Sequence, residues 1–202
     1  MTGFRRYLTA RGVWPAAAVL ATVIAAGAAV HRGGLDGPLT DWWVPVVTLV
    51  PLVVMVSVLP TLAGADPALE SSTPRLRPRW RLTHAAIAAV LSAAVLAPAG
   101  VLALGAPNGS ALVRNSLGVL GLALLAGTVL PIQAAWAPPM GYLLAVLAGA
   151  PHDPGGVAAW WAWPTQPGGT GVSWLVAGVL LAGGLIGYAG RGPVPTRPAG
   201  QD

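Results

Sequence analysis

Two polar stretches of this chain set acidic side chains close to arginine or histidine. Residues 69–84, LESSTPRLRPRWRLTH, bring Glu70, Arg75, Arg77, Arg79 and Arg81 together between two long stretches almost free of polar side chains. His152 and Asp153 stand side by side in a second polar stretch, PHDPGG. A metal centre needs three or four converging ligands, and two neighbours on a loop do not make one. No G-x-S-x-G or H-E-x-x-H run is present, so neither a nucleophile elbow nor a zinc-hydrolase helix can form. Cysteine is absent, which removes thiol chemistry and disulfides. Lysine is absent too, since arginine supplies all 11 basic residues. A Walker-type phosphate loop and a Schiff-base lysine are thereby excluded. No catalytic, cofactor-binding or metal-binding residues are expected.

The elements that position these residues are apolar. Of the 202 residues 55% are hydrophobic and 8% charged, against about 25% charged in a soluble domain. Runs of roughly 18 or more apolar residues are long enough to cross a bilayer as helices. Such runs occupy 13–30, 43–65, 85–106, 116–137 and 172–189, with a shorter one at 138–150. The expectation is an all-α, polytopic integral membrane protein of about six transmembrane helices, one domain over 1–190, followed by a disordered tail at 191–202. Arginine carried without lysine, with abundant Ala, Gly and Pro, fits a GC-rich bacterial genome and hence a bacterial cytoplasmic membrane.

Arginine placement tests the topology. With both termini inside, nine of the 11 arginines fall on the cytoplasmic side, and only Arg32 and Arg114 outside. Asp66, Glu70 and Asp202 share the inner side and Asp36, Asp41 and Asp153 the outer, giving +6 inside and −1 outside. Basic bias of this kind orients helices during insertion. The net charge of +5 is thus assigned to topology, and no nucleic-acid partner is expected.

No acidic residue, histidine or arginine falls inside the apolar runs so drawn, which argues against a proton or ion relay. Ser57, Thr61 and Gln133 are candidates for interhelical hydrogen bonds or for the lining of a substrate path. Trp160, Trp161 and Trp163 form either an interfacial aromatic belt or a re-entrant hairpin over 157–164, which would need protein around its backbone. Gly183 and Gly187 are spaced as G-x-x-x-G for close helix packing, within the bundle or between two copies.

The 69–84 stretch also carries a resemblance. Glu70, the Thr73–Pro74 turn, and Arg75, Arg77, Arg79 and Arg81 leading into the next helix resemble the cytoplasmic link between helices two and three of ABC exporter permeases of the drug and polysaccharide type. Ser71 and Ser72 stand where that family usually has a Gly-Thr pair. The resemblance implies six helices, a hydrophobic excursion between helices five and six, and residues 66–82 acting as a coupling element on a separate ATPase subunit. It also implies a second permease subunit, identical or different. The alternative is a non-transporting assembly or regulatory subunit whose basic loop recruits a cytoplasmic partner or anionic lipid.

Overall fold

The computed structural model describes residues 17–19, 21–23, 25–26, 43–62, 77–149 and 160–194. These residues are mostly helical, with no β-strand among them and one isolated bridge between Pro131 and Val194. We number the α-helices α1 (Trp43–Leu62), α2 (Arg77–Ala126), α3 (Ala137–Gly149) and α4 (Gly171–Arg191); 3₁₀ turns cover Ile132–Ala134 and Trp160–Thr165. Helices α1, α2 and α4 are each long and apolar enough to cross a membrane. Their outward faces carry Val53, Val90, Leu91, Leu175, Val179 and Ile186, all exposed. A helix apolar on every side suits a hydrocarbon surround rather than water. In the first apolar run residues 17–19, 21–23 and 25–26 are helical, and Val23 packs against the buried cluster that includes Val47, Val54 and Leu96.

Helix α2 is two helices folded back at one residue. Gly105 has φ 79 and ψ 165, a region that glycine alone enters readily. A Cβ on Gly100 would lie 2.9 Å from the Gly109 Cα, so the arms touch backbone to backbone beside the turn. Farther along, Ala85 and Ala89 of the first arm share a buried cluster with Val119, Leu120 and Ala123 of the second. At about 1.5 Å per residue the arms, 77–104 and 106–126, run roughly 42 Å and 31 Å, each sufficient for a bilayer core.

The boundaries differ from the apolar runs for identifiable reasons. The second arm begins at 106, ten residues before the expected 116. Pro107 sits in its first turn, where a missing N–H costs nothing, and Asn108 and Ser110 bond the carbonyls of Leu104 and Pro107. Residues 107–115, which carry Asn108, Ser110, Arg114 and Asn115, are therefore helical. The arm ends at Ala126 rather than 137: Gly127 follows, with Pro131 four residues on, the usual stop composition. Arg114, read from sequence as an outer-loop residue, consequently lies inside a helix.

Candidate functional site

A polar node is built around the second arm of α2. Arg114 and Asn115 are both fully buried, about 14 Å along the helix from the Gly105 turn at 1.5 Å per residue. The Arg114 guanidinium donates from Nη1 to the Pro167 carbonyl at 2.9 Å and from Nη2 to the Gln166 carbonyl at 2.8 Å, with a longer contact to the Pro164 carbonyl at 3.5 Å. Its Nε donates to Asn115 Oδ1 at 3.1 Å. The planar fork, rigid and always charged, suits such a cluster of acceptors in a way an ammonium does not.

Asn115 ties this node to α1. Its Nδ2 donates both hydrogens, to the Val47 carbonyl at 2.8 Å and to the Pro164 carbonyl at 2.7 Å. Val47 precedes Pro51 by four residues; proline has no N–H to return to that carbonyl. The bond from Asn115 meets the vacancy left by Pro51, the cover that a proline-broken membrane helix needs.

The segment held by these side chains is the tryptophan-rich stretch. Trp163 is 2% exposed, whereas Trp160 is 71% exposed and Trp161 partly covered. A Cβ on Gly118 would meet the Trp163 ring at 2.4 Å, so the missing side chain is the notch that admits the indole. The Arg114 guanidinium carbon lies 6.0 Å from the Trp163 ring centroid, within cation–π range. Tyr142 of α3 stacks on the same ring at 6.5 Å and 22°, and its hydroxyl donates to the Trp161 carbonyl. Gly168 presses on the start of the second arm, where a Cβ would lie 2.1 Å from the Pro107 carbonyl oxygen. Residues 160–168 are thus inserted among α1, α2, α3 and α4, and Trp163 is a core residue rather than part of a belt. Helix α4 grips the segment from its own N-terminus: Ser173 Oγ donates to Gln166 Oε1, and Trp174 Nε1 donates to the Gly168 carbonyl at 2.7 Å.

The opposite end of the bundle is basic. Arg79 and Trp80 are exposed at the start of α2, Trp80 to 69%. The Arg81 guanidinium lies over Gly192, where a Cβ would approach within 2.4 Å; Gly192 ends α4 with φ 72. Tyr188, one turn earlier, donates its hydroxyl to the Leu62 carbonyl at the end of α1. Glu70, Thr73, Pro74 and Arg75 lie outside the described residues, and Arg77 is the first residue of α2.

The remaining expected residues are placed as follows. Ser57 and Thr61 donate their hydroxyls to Val54 and Val58 of their own helix. Gln133 is exposed on the 3₁₀ turn after α2. Gly183 has open space beside it and Gly187 only ordinary contacts with Leu125 and Thr128. The close crossing falls at Gly184, whose Cβ would lie 2.4 Å from the Gly121 carbonyl oxygen, and at Gly121, equally tight against the Leu180 backbone. Sequence reading missed Arg114 and Asn115 because the Pro-Asn-Gly-Ser run ahead of them resembles a loop. A signal was present: Arg114, Gly118 and Gly121 fall at i, i+4 and i+7, one face of a helix. Comparison with known protein families, characterised proteins and solved structures finds no match for this chain.

Proposed function

We propose that this chain is the membrane permease subunit of an ATP-driven export system, coupled through residues 66–82 to a separate ATPase. The observation that carries the reading is the basic, exposed start of α2. Arg79 and Trp80 face outward at one end of the bundle while Arg81 is seated on Gly192, an arrangement suited to receiving a docked protein and passing force to helices. Two further observations support it. A chain without lysine has no phosphate loop of its own, so its energy must come from a partner. The inserted 160–165 turn lies between α3 and α4 in the chain and would be the hydrophobic excursion expected between helices five and six. The two termini and Arg79, Arg81 and Arg191 would face the cytoplasm, following the arginine bias. A second copy or a different permease would complete the path.

A second reading, an assembly or regulatory subunit, is favoured by one observation. The hydroxyls of Ser57 and Thr61, expected on a path, bond within their own helix. Purification in mild detergent from the native membrane separates the two. A stoichiometric ATPase that is lost when 69–82 becomes a Gly/Ser linker supports the permease. An intact chain that brings no ATPase, and that inserts and folds equally well with the linker, removes it.

A further inference from the structure

We infer that α4 is a transmission rod joining the basic end of the bundle to the inserted 160–168 segment, so that displacement at one end is felt at the other. Both described flanks of the 63–76 connection are fastened to the last turn of α4. The Leu62 carbonyl accepts the Tyr188 hydroxyl, and the Arg81 guanidinium covers Gly192. At its other end α4 holds the inserted segment by two side chains, Ser173 on Gln166 and Trp174 on the Gly168 carbonyl. Between these grips the helix is unbroken by proline from Gly171 to Arg191. Tyr188 and Trp174 are therefore about 21 Å apart along one rigid element, at 1.5 Å per residue.

The crossing with α2 lets the rod act as a unit. Gly184 and Gly121 bring the two backbones into contact between the grips, one turn from Tyr188, a tight, small-residue fulcrum. The segment at the far end is poised to respond, because side chains of Arg114 and Asn115 hold its carbonyls at 164 and 166, and Arg114 shares the carbonyl at 167 with the Thr170 amide. Side-chain donors can release and re-form as a group while α2 stays folded. Withdrawal of Trp163 from the Gly118 notch would open the space between α1, α2 and α3. The inference rests on the permease reading only for which end receives the force.

The test is amide hydrogen exchange on the full chain in nanodiscs of phosphatidylethanolamine and phosphatidylglycerol. Tyr188→Phe removes one hydroxyl and keeps the ring. It is expected to speed exchange at Gln166 and Thr170, whose amides bond Trp163 and Pro167, by about threefold or more, leaving 137–149 unchanged. Helix α3 packs on the same segment through Tyr142, so general loosening would reach it too. In reverse, Trp174→Phe should speed exchange at Gly192 and Val194, since coupling between two sites is reciprocal. Effects confined to 188–194 for the first variant and to 166–174 for the second would overturn the rod. Equal acceleration in α3 would overturn it as well. ATPase co-purification is read separately, so a coupled α4 in a chain that captures no ATPase keeps the rod and discards the permease.

Discussion

Arg114 shows how a single side chain organises one end of this protein. A buried cation in an apolar bundle is costly unless its donors are satisfied, and here the guanidinium meets main-chain carbonyls from a segment about fifty residues away. Arg114→Lys keeps the charge but loses the fork, leaving buried carbonyls without donors. Each such group costs roughly 1–3 kcal/mol, and the thermal midpoint in detergent should fall well below that of the parent. Gln in place of Arg114 should fall further, because it offers two donors where the native side chain makes four contacts. Gly105 is the second decisive residue. Nothing lies within 4 Å of a Cβ placed there, so Gly105→Ala would be penalised by backbone conformation alone, about 1–3 kcal/mol. Circular dichroism melts that show no loss for Gly105→Ala would contradict a positive φ at the turn.

Element packing depends on where glycines meet backbone, and spacing alone misidentifies them. Helix α4 carries adjacent glycines at 183 and 184, but only Gly184 faces α2. Gly184→Ala and Gly121→Ala should each cost about 1–3 kcal/mol, the range for overpacking, because the obstructing atoms are main chain and cannot swing aside. Gly183→Ala enters open space and should be neutral or raise stability by up to about 1 kcal/mol from helix propensity. Thermal denaturation of the three variants side by side decides the register, and a reversed order for 183 and 184 would rotate the helix. Gly118→Ala belongs here too. Its Cβ would occupy the indole site, so Trp163 must leave its notch, and limited proteolysis should then cut within 160–168 faster than in the parent.

Across the whole molecule the two ends have different characters. One end is a carbonyl-rich insertion fastened by Arg114, Asn115, Ser173 and Trp174. The other is an arginine rim fastened by Tyr188 and Gly192. Arg79 and Trp80 are exposed at that rim, so Arg79→Glu with Trp80→Ala should leave the melting temperature within a few degrees of the parent. Under the proposed function the same pair should reduce ATPase capture by about tenfold or more, read by co-purification. Unchanged capture would move the docking surface away from α2.

What the sequence by itself determined is the class of structure. Long apolar runs with few charges demand helices that satisfy their own backbone, and the absence of lysine and cysteine removes whole chemistries however the chain folds. The basic stretch at 75–81 was legible for the same reason, as a local concentration of charge against an apolar background. Tertiary structure alone decided which polar residues matter. Whether Arg114 is a loop residue or a buried clamp depends on the single backbone angle at Gly105 and on the carbonyls that a segment about fifty residues later brings to it. The choice between Gly183 and Gly184, and between Trp160 and Trp163, is likewise a matter of rotation about a helix or turn. Composition and spacing are local properties, while a rotation is set by the partner surface, and that surface exists only once the helices have packed.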